Sequence, residues 1–509
     1  MHVNLLRSHL LMMPLVVAAV AALSLIHVLK LLSLDQLTHT LILMTLVIVV
    51  SINFIQSRSL SNNKIDVFHP QILFSLFYLM YFLLPAILNW GLLDNESKWI
   101  KIDAYQLGDI TNELLIIGLL SLIAYSIGFS TRLKLSGGFL KNYLFDPSAV
   151  RLKEMRVAII VLIAIGLAFK LYHMYQMGGL SFDILRYLSP GRRKELNVGL
   201  SQLSVILGSM LSWGALFALF YHMLLRFGTN DSKIRLMLVS VVVVSVLVVI
   251  YVTTGKRTSI MPLLLIPLIW RHYLVSRISV LQAAILFIVS ITLIITLLFA
   301  RVVLPLLAEG EQPSDFIGSE VSEVSKHYVT SGELATFDMI LASRVYKNEL
   351  LNEMGGSFDS AMRYTFSGFL ILIPRLIWPD KPGYEDPGHV YYHFLTGSNE
   401  PIGFAVTFWG TCLLFFDVFG MVVCMYLFGW LNRIVYQNLE PWKMQAYNVF
   451  FYGVFYWMVF QFLRFGTLGF TFVYFIQSMF VGVLVALFLA RRNVFVRDID
   501  KSNEGVNAR

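Results

Sequence analysis

Charged residues are scarce in this chain of 509 residues: Asp, Glu, Lys and Arg make up 14% of it, against about 25% in a typical soluble domain. Hydrophobic residues account for 57% of the chain, and its mean hydropathy is +0.72. This composition excludes a soluble protein and predicts that the chain lies in a membrane.

Cysteine is nearly absent, which excludes a disulfide framework. The two cysteines, Cys412 and Cys424, lie in apolar stretches and lack the spacing of metal ligands. His389 and His393 are four residues apart, but no further ligands of recognisable spacing accompany them, so no metal is expected. A nucleotide-binding glycine loop is also missing, and no cofactor is expected.

The formal net charge of +8 does not indicate a nucleic-acid partner. No segment with a soluble composition carries the basic stripe with interleaved aromatic residues that nucleic-acid binding uses. Basic loops at a membrane surface explain the charge, and membrane lipids are the expected surroundings.

Long apolar runs recur along the whole chain and predict about twelve transmembrane helices, within a range of about 11 to 14. A spanning helix needs about 20 apolar residues to cross a hydrocarbon core of about 30 Å. The runs cover residues 11–32, 41–56, 70–92, 113–129, 157–177, 201–225, 236–254, 259–270, 279–300, 416–434, 447–463 and 470–490. The predicted fold class is therefore an all-α polytopic membrane protein.

Basic residues in the short loops predict the orientation. With the N-terminus in the cytoplasm, most of these Lys and Arg residues fall on the cytoplasmic side. The resulting division has nine helices in residues 1–300, a long extracytoplasmic loop at 301–402, three helices in 403–490 and a cytoplasmic tail at 491–509. Both termini are predicted to be cytoplasmic.

The long loop contains two further helical signals. Residues 333–346 have apolar side chains at helical spacing, which predicts an amphipathic helix on the membrane surface. Residues 367–378 are apolar but short and broken by a proline, which favours a re-entrant or interfacial helix. Alternatively, 367–378 and 404–415 both span, which gives about fourteen crossings and moves residues 380–400 into the cytoplasm.

Several basic residues lie in short loops on the side that positive charge normally avoids. They are Arg192, Arg193, Lys194, Lys256, Arg257 and Arg464. Lys256 and Arg257 precede a helix that starts at the outer face, where the helix dipole also favours an anion. The alternative is that their side chains only reach lipid phosphates. Arg464 either turns inward to a cavity or marks the end of a helix.

A second group of candidates lies in the long loop. Arg375 can bind phosphate, and Trp378 can anchor at the interface or stack on a sugar. Lys381 adds a cation, and Arg301 is a weaker candidate in the same segment. Suitable general bases are Asp380, Glu385 and His389. The alternative is a surface loop with turn prolines and solvated charges.

Four short motifs resemble the Wzy-type polymerases of bacterial O-antigen and related polysaccharides. They are Gly255-Lys256-Arg257, the string from Pro374-Arg375 to Trp378-Pro379-Asp380-Lys381-Pro382, Pro401-Ile402-Gly403, and Phe419-Gly420. The resemblance implies a GT-C-like glycosyltransferase in the bacterial inner membrane. It would act at the periplasmic face of this membrane. There it would join oligosaccharide repeat units, each linked to undecaprenyl diphosphate, into a surface polysaccharide such as the O-antigen of lipopolysaccharide.

The resemblance also implies roles for the candidate residues. Arg257 and Arg375, with Lys256, Arg301 and Arg464, would hold the diphosphate. Arg192, Arg193, Trp378 and Lys381 would bind other parts of the lipid-linked glycan, and Asp380, Glu385 or His389 would accept the proton. A chain-length regulator protein is a further expected partner, while neither metal nor nucleotide is required. Two alternatives stay open: a flippase or exporter of lipid-linked glycan, and an O-antigen ligase.

Overall fold

The computed structural model describes residues 66–83, 85–86, 100, 104–131, 152–176, 202–225, 261–283, 285–286, 336–373, 378, 387–397, 403–443 and 445–489. All regular secondary structure within these ranges is helical, and they contain no strand. The predicted helical class is therefore confirmed for this part of the chain.

The described helices, in chain order, are α1 (Pro70–Tyr78), α2 (Ala104–Ser130), α3 (Leu152–Gln176), α4 (Gln202–Leu225), α5 (Met261–Trp270), α6 (Thr336–Val345), α7 (Lys347–Glu353), α8 (Ser357–Phe366), α9 (Pro387–Thr396), α10 (Thr407–Leu439), α11 (Ala446–Phe465), α12 (Leu468–Ser478) and α13 (Phe480–Leu489). Two of them continue as π-helical turns, α1 into Leu79–Leu83 and α5 into Arg271–Val275. A 3-10 helix at Ser367–Leu372 follows α8.

Five stretches of the described chain are long and apolar enough to cross a membrane. They are Glu113–Ser130, Lys153–Tyr172, Leu207–Leu225, Thr407–Lys443 and Ala446–Phe465. α12 and α13, bent by 63°, make a sixth if the pair is one span. This set of helices is that of a multi-pass membrane protein. Runs 11–32, 41–56 and 236–254 lie outside the described residues, and the total of about twelve stays a prediction.

The outward face of α2 is apolar. Ile116, Leu120, Ile123 and Ile127 are exposed and follow one another at helical spacing, whereas Leu114, Ile117 and Leu122 are buried. α3 has a similar stripe that includes Val157 and Ile160. An exposed apolar stripe on a long helix is unfavourable in water and favourable against lipid, so these faces fit a hydrocarbon environment.

The chain packs as two compact units. The first contains Met1–Leu133, Ser322–Ile434 and Phe460–Thr471, and the second contains Lys134–Val321, Val435–Val459 and Phe472–Arg509. In the second unit, α3 and α4 approach closely because Gly166 lies against the backbone of Leu211 and Gly214 lies against Ile163. Trp213 of α4 lies over Gly482, and its indole N–H donates to the carbonyl of Ser478 at 2.6 Å.

The first unit contains a helix that reverses direction. α10 leaves the helical conformation at Asp417, where φ is 59° and ψ is −171°. The rings of Phe408 and Phe428 are 5.5 Å apart, although in one straight helix these residues would be separated by about 30 Å. The thiols of Cys412 and Cys424 are also hydrogen-bonded across the same point.

We call this element the α10 hairpin. Its short arm is residues 407–416, its tip is Asp417, and its long arm is residues 418–439. At about 1.5 Å per residue the short arm is about 15 Å long, which is too short to cross a membrane. Residues 404–415 therefore form no full span of the kind that about fourteen crossings would require, and the re-entrant or interfacial placement of 367–378 stays a prediction.

The predicted surface helix at 333–346 is also different in the structure. α6 forms within these residues, but Thr336 to Ser343 are all buried, so it does not lie on the membrane surface. Its first residue, Thr336, donates its hydroxyl to the carbonyl of Tyr81 at 2.7 Å, and Phe337 packs edge-to-face on Phe82. The apolar spacing predicted the helix correctly. The face of α6 opposite the apolar one is buried in protein as well.

The two ends of the first unit are distinct. At one end, His69 packs on Phe129, whose carbonyl accepts a 2.5 Å hydrogen bond from Arg433. At the other end, Lys347 pairs with Asp417 at 2.6 Å and Arg344 pairs with Glu113 at 2.8 Å. Successive predicted spans cross the membrane in opposite directions. This alternation places His69, Phe129 and Arg433 on one side of the membrane and Glu113, Lys347 and Asp417 on the other, in agreement with the two groups of contacts.

His69 is fully buried at the start of α1. Its Nδ1 accepts the backbone N–H of Gln71 at 3.4 Å, which caps the helix. Burial lowers the pKa of His69 to about 4, opposed by the nearby carboxylate of Asp66 and assisted by the cation of Arg433. His69 is therefore neutral at physiological pH.

Candidate functional site

Three of the predicted site residues lie within the described structure: Trp378, His389 and Arg464. The remaining candidates, Arg192, Arg193, Lys256, Arg257, Arg301, Arg375, Asp380, Lys381 and Glu385, lie outside the described residues. Their predicted roles stay predictions.

Arg464 is buried in the last turn of α11. Only 9% of the residue is exposed, and its guanidinium carbon lies 4.6 Å from the centre of the Phe465 ring. A buried arginine is costly unless nearby groups or a ligand balance its charge. Arg464 is buried and also lies in the last turn of its helix, so the structure leaves both sequence interpretations open.

Gly466 joins the turn after Arg464 to the α10 hairpin. Its φ of 80° lies in the left-handed region, which favours glycine. A Cβ atom at this position would collide with the carbonyl oxygen of Thr407 and the hydroxyl of Thr411. Arg464 is therefore held within two residues of a direct contact with the first turn of the short arm.

Two helices begin at this contact. The hydroxyl of Thr407 accepts the backbone N–H of Gly410 at 3.3 Å, and that of Thr467 accepts the N–H of Phe470 at 3.4 Å. The first turn of a helix leaves N–H groups without carbonyl partners and carries a partial positive charge. Two helix starts lie beside a buried arginine at the C-terminal end of α11, and we call this group of residues the Arg464 corner: residues 464–467 with Thr407 and Thr411.

The Arg464 corner lies below the tip of the α10 hairpin. Thr411 and Thr407 precede Asp417 by about 6 and 10 residues, which corresponds to about 9 to 15 Å along the short arm. The tip itself is polar, because Asp417 pairs with Lys347 and also accepts the N–H of Val418 at 2.8 Å. If the tip marks the membrane surface, the corner lies within the hydrocarbon depth and is shielded by protein.

Parts of the long loop contact residues next to this corner. Gly368, in the 3-10 helix after α8, lies against the backbone of Gly469 in the first turn of α12. Gly388, at the start of α9, accepts the N–H of Phe404 at 3.1 Å, just before the short arm.

α9 is fixed to α6 by a buried hydrogen bond. The hydroxyls of Tyr391 and Ser343 are 2.6 Å apart, and Ser343 lies against Gly410 of the short arm. Burial raises the pKa of Tyr391 well above its usual range, although the bond to Ser343 opposes the shift. Tyr391 is therefore a neutral structural group.

His389 and Trp378 are exposed. His389 is on the open face of α9, two residues before buried Tyr391, and the structure does not bring it or Trp378 into contact with Arg464. Of the three described candidates, only Arg464 occupies an enclosed site. The described residues also contain no group of three or more His, Cys, Asp or Glu side chains able to hold a metal ion.

Sequence reasoning missed two polar residues of this region. Gln461 is fully buried one turn before Arg464, and Asp417 forms the tip of the hairpin. Both interrupt apolar stretches that were interpreted as spans. Two signals were available in the sequence. Gln461 is an isolated amide three residues before an arginine, and Asp417 is the one carboxylate within residues 404–434.

No protein-family model, curated protein or solved structure matches this chain. A function for this protein is therefore inferred from its sequence motifs and from the geometry of the Arg464 corner.

Proposed function

We propose that the protein is a polysaccharide polymerase of the bacterial inner membrane, with a GT-C-like arrangement of about twelve spans and both termini in the cytoplasm. It joins oligosaccharide repeat units carried on undecaprenyl diphosphate at the periplasmic face. The observation that carries the proposal is a buried arginine beside two helix starts, one of which is contacted by Gly368 of the long loop. The Wzy-like motifs supply the identity of the substrate.

The chemistry needs few protein groups. A hydroxyl at the non-reducing end of the acceptor attacks the anomeric carbon of the donor glycan. A new glycosidic bond forms, the bond from the anomeric carbon to the phosphate oxygen breaks, and the lipid diphosphate leaves with the bonding electrons. The leaving group gains negative charge, so cations fixed near it lower the barrier.

Arg464 is suited to this cationic role because its position is set before substrate arrives. It is buried, and the close contact of Gly466 with Thr407 restricts movement of the turn. The guanidinium has a planar donor geometry that fits two phosphate oxygens at once. Arg257 and Arg375 would add charge from their own segments, and Asp380, Glu385 or His389 would take the proton of the acceptor hydroxyl.

The test replaces Arg464 with alanine in the producing cell. We expect Arg464→Ala to leave the protein inserted and to reduce long-chain glycan by at least about 100-fold, since a charged contact to the transition state is worth about 3 kcal/mol or more. The surface glycan banding pattern should show single repeat units. Arg433→Ala is the matched control, because Arg433 also lies over an aromatic ring, that of Phe129, but is not part of the Arg464 corner.

The same gel distinguishes the alternatives. Long chains of normal length from Arg464→Ala, at normal protein level, would contradict the proposal. Substrate trapped on the cytoplasmic side would indicate a flippase or exporter. Polymer that accumulates on undecaprenyl diphosphate would indicate a ligase.

A further inference from the structure

A second buried polar group accompanies Arg464. Gln461 is 0% exposed, and within the described part of the chain neither its amide nitrogen nor its amide oxygen has a hydrogen-bond partner. Leaving a buried polar group unpaired costs about 1 to 3 kcal/mol. Native proteins seldom keep such a group unless something completes its hydrogen bonds.

Gln461 lies next to the Arg464 corner, one helical turn before Arg464 on α11. Residues three apart on a helix lie on one face, with Cβ atoms about 5 to 6 Å apart. Phe462, between the two residues, has its ring 4.5 Å from that of Phe408 in the first turn of the short arm. The amide and the guanidinium are therefore both at the level where the short arm begins.

The two side chains differ in what they can bind. Arginine only donates hydrogen bonds and suits a phosphate, whereas a primary amide both donates and accepts. A hydroxyl group also both donates and accepts, so it can satisfy an amide that an anion satisfies only in part. A pair of this kind fits a ligand with a phosphate and a hydroxyl one helical turn apart.

We propose that Gln461 and Arg464 form one site for a phosphate that carries a neighbouring hydroxyl group, with Arg464 on the phosphate and Gln461 on the hydroxyl. This inference rests on the proposed function, under which the ligand is the lipid diphosphate and the hydroxyl belongs to the first sugar. A glycerol-headed phospholipid presents the same two groups. In either case Gln461 is a specificity-determining residue, because it distinguishes a phosphate that carries a hydroxylated group from one that does not.

The experiment measures binding to the purified full-length protein in lipid nanodiscs. One pair of probes is a polyprenyl diphosphate that carries a single N-acetylhexosamine and the same polyprenyl diphosphate without a sugar. The other pair is phosphatidylglycerol and phosphatidic acid. We expect the wild type to bind the sugar-bearing diphosphate about 10-fold more tightly than the bare one, as for one or two well-made hydrogen bonds.

The variants are Gln461→Leu, Gln461→Met and the control Gln71→Leu. Gln71 is also buried with both side-chain amide atoms unpartnered in the described structure, but it lies on α1, where its backbone N–H donates to His69. Each change replaces an unpaired amide with an apolar side chain, so we expect the melting temperature to hold or rise. Both Gln461 variants should lose the 10-fold preference and keep their affinity for bare diphosphate, while Gln71→Leu keeps both.

Each outcome bears on one proposal or both. An unchanged preference in the Gln461 variants, or an equal loss in Gln71→Leu, overturns the role of Gln461. If Arg464→Ala binds both diphosphates as the wild type does, the proposed function fails as well. If only phosphatidylglycerol binds, in a way that depends on Gln461, the phosphate and hydroxyl site is upheld and belongs to a lipid headgroup, which contradicts the polymerase.

Discussion

At the scale of single residues, three backbone positions shape the candidate site. Thr407, Asp417 and Gly466 all have positive φ, at 66°, 59° and 80°. The left-handed region is unfavourable for threonine and aspartate by about 1 to 2 kcal/mol, so packing must hold these two in place. They bracket the short arm, and Gly466 fits against it.

Gly466→Ala tests the closeness of this contact. We expect it to destabilise the protein by about 3 kcal/mol or more, because an added methyl meets the Thr407 carbonyl as well as the unfavourable φ. Gly397→Ala is the matched control, since Gly397 has φ 67° with nothing within 4 Å of its missing Cβ. Thermal unfolding in detergent compares the two; equal losses would show that only φ matters.

His69 predicts a pH dependence of stability. Its folded pKa of about 4 lies below the unfolded value of 6.5, so the unfolded state binds more protons between these values. The contribution of His69 to the free energy of unfolding is complete above the unfolded pKa and is lost as the pH falls toward 4. From about pH 7 to about pH 5 the wild type should lose about 2 kcal/mol through this group.

His69→Asn is the variant that checks it. Asparagine can still cap α1 but does not titrate. We expect the stability of this variant, measured by chemical unfolding in detergent at each pH, to fall by about 2 kcal/mol less than that of the wild type over the same range. Parallel pH profiles would contradict a buried neutral His69.

At the scale of elements, the α10 hairpin decides where the site lies. Apolar residues continue from Phe404 through Ile434 with one acid between them, so the sequence alone is compatible with one long helix. The reversal at Asp417 instead gives a short arm that begins inside the unit. Gly466, two residues after Arg464, contacts the first turn of this short arm.

The two cysteines provide a direct test of the hairpin. Cys412 lies on the short arm and Cys424 on the long arm, with their thiols in contact. We expect mild oxidation of the native protein to form a disulfide between them, seen as loss of both thiols to a maleimide after denaturation. In a straight helix they would be about 18 Å apart and could not react.

The control for this test is simple because the chain has only two cysteines. In Cys424→Ser no intramolecular disulfide can form, and the Cys412 thiol should stay available for labelling after the same oxidation. Two thiols that survive oxidation in the wild type would contradict the hairpin.

At the scale of the whole molecule, the prediction concerns sidedness. The contacts of the first unit put Lys347 and Asp417 at one end and His69 and Arg433 at the other. With the proposed orientation, the first end faces the periplasm. We expect alkaline phosphatase fused after Gly397 to be active and a fluorescent-protein fusion after Lys443 to fluoresce.

The reverse pattern, with an inactive phosphatase and a dark second fusion, would mean that Arg464 opens toward the cytoplasm. A fusion after Gly383 adds the remaining comparison. Phosphatase activity there agrees with about twelve crossings and contradicts about fourteen.

The sequence by itself determined the membrane character of the protein and most helix positions within the described residues, because apolar length and helical spacing are local properties that lipid selects directly. It also predicts that Arg464 lies on the side of the membrane that positive charge normally avoids. Tertiary structure decided the reversal at Asp417, the burial of α6 and the burial of Gln461 and Arg464. These depend on contacts between residues distant in sequence, which no local pattern encodes.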